Sequence, residues 1–369
     1  MSGPAVAFID CLHGSGKEGG ADIAARDLAE RLRGAGARTR ILSFRDGIPL
    51  ALPDLLKTKP LLRELTAFPL GGRKGMREAE GGYDVIHLNS LALAPLYRPR
   101  LPVVITLHNI QCQKFTRYMG AGRLPLLFNR LTRFPFRLSE RRAAGNIDRF
   151  ICVHRGIADF LRDGMGIAED RIAVIPNGVD TELFRPGGDK VRRVVFVGRA
   201  TTTKGFDVLA EAAPMIDAPI MAVTNKMRPA MAARAAAAGM EVRWDLSHRE
   251  LAPLISSSSL LVLPSWDEEQ PLVVIEAMSC GLPVVTTPAG ASDLIRDGQG
   301  GLVVPPHDPR ALARAVNHIL GDERMIESMG AANRHIAEAS HAWPVVVARV
   351  MDVYGDVLDS ARRGGGPPY

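Results

Sequence analysis

The chain is poor in cysteine and aromatic residues and has no long hydrophobic run, and these shortages exclude several classes of protein. The four cysteines among 369 residues are scattered and show no Cys-x-x-Cys spacing, which argues against a disulfide framework and a zinc site. Apolar runs such as 260–264 are far shorter than the roughly 20 residues that a membrane-spanning helix needs. No basic residue precedes Asp10, so we expect no signal peptide and a cytoplasmic location.

Excess positive charge is confined to one segment. The formal net charge is +6, and residues 111–142 contain eight basic residues against one acidic residue, so the rest of the chain is close to neutral. A local patch does not indicate general polyanion binding, and we expect no nucleic acid partner. Aromatic and aliphatic residues alternate with the bases. The segment therefore predicts peripheral contact with an anionic membrane, a cradle for a phosphorylated ligand, or an ordinary amphipathic helix with solvated arginines.

Short runs rich in Val and Ile alternate with helical patterns along the whole chain. At this length, with 46% hydrophobic residues, two domains are expected. One strand, loop and helix series runs to Pro176-Asn177-Gly178, and a second begins at Arg193. Buried parallel strands have this composition. We therefore predict an α/β protein with two Rossmann-like domains that face each other across a cleft.

The Pro-Gly-Gly segment 186–188 is the predicted linker. It would divide an N-terminal domain, 1–186, from a C-terminal domain, 187–342. A last helix is expected over 343–361 and should pack back toward the N-terminal domain. The glycine-rich tail, 362–369, is expected to be disordered.

The first strand leads into a glycine loop, Gly14-x-Gly16-x-x-Gly19. Its place between strand and helix is typical of dinucleotide sites, but the end of the second strand offers no acidic residue for a ribose. A P-loop is excluded, because Glu18 follows Lys17 where Ser or Thr is required. The glycines therefore indicate either backbone contact with an anion at a helix N-terminus or a plain structural turn.

Two cations follow the first strand of the second series. Arg199 and Lys204 occur as Gly-Arg-x-x-x-x-Lys-Gly, after a Val-rich strand and before a helix. Both cations and the free N–H groups of the helix would then converge, which predicts a diphosphate site. Solvated surface cations are the alternative interpretation.

Two glutamates flank a predicted helix start. Glu268 falls in the loop after a strand, Pro271 suits the first turn of the next helix, and Glu276 lies deeper in that helix. At the carboxyl end of a parallel sheet, such carboxylates can accept hydrogen bonds from sugar or ribose hydroxyls. Ordinary exposed glutamates are the alternative.

Taken together, these segments resemble glycosyltransferase family 4. The resemblance rests on Gly-Arg-x4-Lys-Gly, on the Glu-x7-Glu segment that continues Ala-Met-Ser-Cys-Gly-Leu-Pro, and on Val-Ile-Pro-Asn-Gly-Val-Asp at 174–180, and it covers nearly the whole chain. It implies the GT-B fold and retaining transfer of a hexosyl-type sugar from a UDP- or GDP-sugar to an acceptor hydroxyl. It also implies no catalytic metal and no other cofactor, with which the absence of an Asp-x-Asp pair agrees.

The resemblance also assigns roles to residues and domains. Residues 1–186 would be the acceptor-side domain, and 187–342 would bind the nucleotide-sugar. Arg199 and Lys204 would hold the diphosphate, Glu268 the sugar and Glu276 the ribose. The implied catalytic residues are His108, Arg199, Lys204 and Glu268, and the implied donor-binding residues are Gly19, Gly20, Arg199, Lys204, Glu268, Gln270, Pro271, Leu272 and Glu276.

The sequence leaves the identity of the donor and of the acceptor open. Trp244 and Asp245 stand where the family usually has glycine, which bears on the nucleobase. The acceptor could belong to a cell-envelope glycan, a glycolipid or a natural-product glycoside. The alternatives to transfer are a nucleotide-sugar epimerase or hydrolase, a nicotinamide-dependent oxidoreductase, and a non-catalytic protein that binds anions through 111–142.

Overall fold

The computed structural model describes residues 3–10, 20–43, 77–89, 98–108 and 141–363. The chain forms two compact units, Met1–Ile175 with Val347–Tyr369 and Pro176–Val346. Within these described residues, each unit contains one six-stranded sheet, and its paired strands are parallel.

The first unit is built on a sheet with the strand order β2-β1-β3-β4-β5-β6. The central strands β3 and β4 are buried at every position, as expected of parallel strands that are covered on both faces. Its strands are β1 (Ala5–Asp10), β2 (Arg38–Ser43), β3 (Val85–Leu88), β4 (Val103–Leu107), β5 (Arg149–Cys152) and β6 (Ile172–Val174), with helices α1 (Gly20–Gly34) and α2 (Arg155–Asp159).

The second unit has the strand order β12-β11-β10-β7-β8-β9, which reverses direction between β7 and β10. This is the doubly wound arrangement of dinucleotide-binding folds. Its strands are β7 (Val194–Val197), β8 (Ile220–Thr224), β9 (Glu241–Trp244), β10 (Leu260–Leu263), β11 (Val284–Thr286) and β12 (Gly301–Val303). Its helices are α3 (Phe206–Ala212), α4 (Pro229–Ala237), α5 (His248–Ser257), α6 (Leu272–Ser279), α7 (Pro288–Ala291), α8 (Pro309–Leu320) and α9 (Glu323–Ile336), after which α10 (Trp343–Arg363) ends the described chain.

Helix starts in the second unit are set by residues that cap helices. Ser247 and Glu250 form a capping box before α5. The Asp308 carboxylate accepts a hydrogen bond from the Ala311 N–H at 2.8 Å, and Asp322 caps α9 in the same way. Helix α6 has no side-chain cap and is apolar nearly all round, so burial stabilises it.

The fold class is confirmed, since both sheets are parallel and Rossmann-like. The unit boundary lies earlier than the predicted 186, because residues 176–186 bond inside the second unit. The Asn177 N–H donates to Gln270, and the Phe184 carbonyl accepts from Ser279. Helix α10 extends two residues beyond the expected 361, and its residues from Val347 onward group with the first unit.

Candidate active site

The reversal of strand order in the second sheet identifies its ligand-binding edge. Ligands of such sheets bind outside the carboxyl ends of the strands, at the switch point. There β7 leads into Arg199 and Lys204, and the adjacent β10 leads into the loop 264–271. The topology therefore brings the two predicted cations and Glu268 to one place.

Lys204 and Glu268 form an ion pair at this edge. Lys204 Nζ donates a hydrogen bond to Glu268 Oε1, and the two side chains are 22% and 9% exposed. Lys204 ends the short 3₁₀ turn Thr202–Lys204, whose position is fixed by the residues around it. An ammonium group has three donors and a carboxylate has two oxygens, so both groups can bind a ligand while they are paired.

Hydrogen bonds tie the turn of Lys204 to the loop of Glu268. Trp266 Nε1 donates to the Thr202 carbonyl at 2.8 Å, and the Trp266 N–H donates to the Thr203 carbonyl at 3.1 Å. Ser265 Oγ donates to the same Thr203 carbonyl at 2.8 Å. These bonds fix the positions of the cation and the carboxylate relative to each other. No local sequence pattern predicts them.

Gly205 permits the close approach of the two loops. Its φ is +67°, and a Cβ placed on it would lie 2.1 Å from the Pro264 carbonyl oxygen. Any other residue would have to displace the backbone that leads to Glu268. The glycine of the Lys-Gly motif is therefore a packing requirement at the site.

Arg199 presents a second cation at the same edge. It follows β7 by two residues and is exposed. Among the described residues, no side chain or carbonyl accepts a hydrogen bond from its guanidinium group. A planar, exposed guanidinium at a switch point is suited to bidentate binding of a phosphate.

Glu276 lies inside α6 and is only 7% exposed, although the helix is otherwise apolar. Its Oε1 lies 3.6 Å from His248 Nε2, at the start of α5. A buried carboxylate is costly unless polar partners or a ligand compensate, which makes Glu276 a candidate for a binding role. No local sequence pattern predicts the role of His248, because only the fold brings α5 to α6.

The remaining predicted donor residues surround the start of α6. Gln270 Oε1 accepts a hydrogen bond from the Asn177 N–H at 2.6 Å, so this carbonyl is used inside the protein. Pro271 is the residue before the helix, not a residue of its first turn as the sequence analysis placed it, and Leu272 begins the helix half-buried.

The predicted residues of the first unit are only partly described. Gly19 lies outside the described residues, and Gly20 is the exposed first residue of α1. His108 directly follows β4 and is half-buried, and Asn89 directly follows the neighbouring β3. Both residues therefore lie at the carboxyl edge of their sheet. Most of the basic segment 111–142 is outside the described residues, which resume at 141.

Two features are absent from the part of the chain that the structure describes. No group of three or more His, Cys, Asp or Glu side chains there could hold a metal ion. None of the helices described is both long and apolar enough to cross a bilayer.

Solved structures share the fold along nearly all of the chain. Sucrose-phosphate synthase from Thermosynechococcus elongatus superposes with a TM-score of 0.78 at 22% identity, over 97% of this chain and 100% of that one. Anabaena HepE, solved in complex with UDP-glucose, superposes with a TM-score of 0.70 at 19% identity, over 96% and 100% of the two chains.

Sequence comparisons agree with this result. The D-inositol 3-phosphate glycosyltransferase of Streptomyces bingchenggensis is 26% identical over 95% of this chain and 87% of its own length. Residues 18–183 match the family model of Glycosyltransferase Family 4, and residues 191–322 match that of Glycosyl transferases group 1. With two such domains on GT-B architecture, the chain belongs to glycosyltransferase family 4.

Proposed function

We propose that this glycosyltransferase transfers a hexosyl group from a UDP- or GDP-sugar to an acceptor hydroxyl with retention of configuration. The observation that carries the proposal is the Lys204–Glu268 pair at the switch point of the second sheet, where the exposed Arg199 follows the same strand as Lys204. This arrangement offers two cations to a diphosphate and a carboxylate to hydroxyl groups within one short segment of surface.

Each of these residues is proposed to bind the part of the donor that suits its charge. Arg199 and Lys204 bind the diphosphate and stabilise the negative charge that grows on it as the sugar departs. Glu276, buried in the middle of α6, accepts hydrogen bonds from the ribose hydroxyls. Glu268 accepts hydrogen bonds from hydroxyls of the transferred sugar.

Retention follows when both reacting groups use one face of the sugar. The leaving phosphate oxygen takes the proton of the acceptor hydroxyl as the new glycosidic bond forms and the old one breaks. No carboxylate is then needed as nucleophile or base, and Glu268, which accepts a hydrogen bond from Lys204, is suited to holding the substrate. By the family resemblance, His108 of the first unit is proposed as a further catalytic residue.

The comparisons suggest which substrates to test first. HepE was solved with UDP-glucose, which makes that compound the first donor to test. The relatives named D-inositol 3-phosphate glycosyltransferase suggest a phosphorylated polyol as acceptor. The eight bases over 111–142 support a phosphorylated acceptor or peripheral contact with an anionic membrane.

Thermal shifts with UDP-, GDP- and ADP-sugars test the donor class. A donor at about 100 times its dissociation constant adds about 2.7 kcal/mol to the stability of the unit that binds it. The stabilising donor is then incubated with inositol phosphates, and NMR of the product gives the anomeric configuration. An inverted anomeric centre would refute retention. Equal consumption of donor with and without acceptor would favour the epimerase or hydrolase alternative.

A further inference from the structure

A chain of buried hydrogen bonds joins α10 to strands β3 and β4 in the first unit. The Tyr354 hydroxyl of α10 lies 2.5 Å from His87 Nδ1, and His87 Nε2 lies 2.8 Å from Thr106 Oγ1. Tyr354 and His87 are 0% and 1% exposed. The Phe8 ring stacks on the imidazole at a centroid distance of 4.6 Å, so the ring has a fixed plane.

The direction of these bonds follows from the needs of the buried hydroxyl. In the described part of the protein, the Tyr354 hydroxyl has no acceptor other than His87 Nδ1. A buried donor without an acceptor is costly, so the phenol donates to Nδ1. A neutral imidazole then carries its proton on Nε2 and donates it to Thr106 Oγ1. Tyr354 thereby selects the tautomer of His87.

The charge state of His87 is equally fixed. Burial, together with the charge of nearby His108, lowers the pKa of His87 to about 3. The ring therefore stays neutral across the pH range in which the enzyme would be assayed, and the bond chain does not change with pH.

This series of hydrogen bonds ends next to a residue that is proposed to be catalytic. Thr106 is the last residue but one of β4, and His108 directly follows the strand. The charge of His108 acts on buried His87, which lowers the pKa of His87. The hydrogen-bonded side chains therefore lie close to His108 at the carboxyl edge of the sheet.

We propose that Tyr354 and His87 are positioning residues for His108. By fixing the tautomer of His87, Tyr354 fixes the hydroxyl of Thr106 and with it the end of β4, from which His108 extends. This inference rests on the proposed role of His108 in transfer. Without the phenol hydroxyl, His87 can adopt either tautomer, and the end of β4 loses its single arrangement. Displacements of about 1 Å are enough to reduce catalysis strongly.

Tyr354→Phe removes one oxygen and keeps the ring in place, so the protein should fold. We expect kcat to fall about tenfold while the dissociation constant of the donor nucleotide stays within about twofold, because the side chains proposed to bind the nucleotide, Arg199, Lys204 and Glu276, lie in the second unit. The matched control is Tyr83→Phe in the same unit, where the tyrosine is half-buried and Arg38 lies over its ring. This control should retain the wild-type kcat.

Thr106→Val, an isosteric change, tests the other end of this series of hydrogen bonds. If both variants act through His87, the fold-loss in kcat of the double variant should be no more than about twice that of either single variant. It should not reach the product of the two single losses. Multiplicative losses would show that Tyr354 and Thr106 act independently, and the proposal would then be wrong.

An NMR measurement separates this proposal from the proposed function. In protein labelled with ¹⁵N-histidine, the imidazole resonance of His108 is assigned by its loss in His108→Gln. It should shift in Tyr354→Phe and stay in place in Tyr83→Phe. Unmoved His108 resonances would overturn the positioning role, whether or not the enzyme transfers sugar. If the resonance shifts but His108→Gln retains full activity, positioning stands and the catalytic role of His108 fails.

Discussion

Lys204 donates a hydrogen bond to Glu268, and this bond joins the loop after β7 to the loop after β10 across the switch point of the second sheet. Because the intervening turn and loop are also bonded through Trp266 and Ser265, the positions of both charges are set by the fold. Charges that are already in place need little reorganisation when a reaction develops negative charge beside them.

The double substitution Arg199→Ala with Lys204→Ala should lower kcat/KM by more than about 30-fold, equivalent to about 2 kcal/mol of transition-state stabilisation. Both cations would face a diphosphate that gains charge as the sugar departs. Steady-state kinetics with the stabilising donor measure the loss. Arg310→Ala with Arg314→Ala, two exposed residues of α8, removes the same charge away from the site and should leave kcat/KM unchanged. Equal kinetics in both double variants would contradict a diphosphate site.

Substitutions at Glu276 and at Glu268 should have different effects on binding and on turnover. Glu276→Gln should raise the dissociation constant for the nucleotide about tenfold. The neutral amide is a weaker hydrogen-bond acceptor for the ribose hydroxyls than the carboxylate that it replaces in this buried helix. Glu268→Gln should keep nucleotide affinity within about threefold but lower kcat at least tenfold. Isothermal titration with the free nucleotide and initial rates give the two quantities. Glu241→Gln, at the amino end of β9, is the control. Identical behaviour of the two variants would overturn the division of roles.

The strands and the charged motifs could be predicted from sequence, whereas the contacts between side chains that are distant in sequence could not. Runs such as Leu-Leu-Val-Leu at 260–263 have the composition of a buried strand, and the residues that follow such runs lie at one edge of a parallel sheet. Local signals of this kind located Arg199, Lys204 and Glu268. By contrast, His248 reaches Glu276 from another helix, and Tyr354 reaches His87 across most of the chain. These contacts depend on tertiary packing, which leaves no periodic pattern in the sequence.

Gly205→Ala should destabilise the second unit more than Gly239→Ala does. Both glycines have left-handed φ values, +67° and +65°, so each alanine costs about 1–2 kcal/mol of conformational strain. Open space surrounds Gly239, whereas a Cβ at Gly205 meets the Pro264 carbonyl at 2.1 Å. The additional loss should appear in the thermal midpoint and in a weaker donor affinity, since Lys204 precedes the displaced residue. Equal midpoints and equal affinities would show that the close approach is unimportant.

The basic segment should bind anionic vesicles if its role is peripheral membrane contact. Binding to vesicles with phosphatidylserine, but not to neutral ones, should disappear at high salt, because exposed charges more than about 10 Å apart are screened at 0.1 M. Replacing Arg130, Arg133 and Arg137 by Ala should abolish it. The control has the same charge loss at Arg310, Arg314 and Arg324, which are exposed in the second unit. A protein that ignores anionic vesicles at low salt would point to a soluble phosphorylated acceptor.

The pH dependence of stability should carry the signature of His87. Burial and nearby His108 lower the pKa of His87 from 6.5 to about 3 in the folded protein, so between these two pH values the unfolded chain binds one more proton. The contribution of this group to stability is therefore complete above pH 6.5 and is lost as the pH falls toward 3, by at most about 1.4 kcal/mol per pH unit.

His87→Gln removes this proton-binding difference. Although the variant should be less stable at neutral pH, because the Phe8 stack and two hydrogen bonds change, its midpoint should fall less steeply than that of the wild type on acidification from 6.5 toward 5. Thermal unfolding monitored at several pH values in this window gives the slopes. His318→Gln, on the exposed side of α8, is the matched control. Parallel slopes in the wild type and His87→Gln would mean that His87 binds protons in the folded protein as it does in the unfolded chain, and the neutral series of bonds to Tyr354 would then not exist.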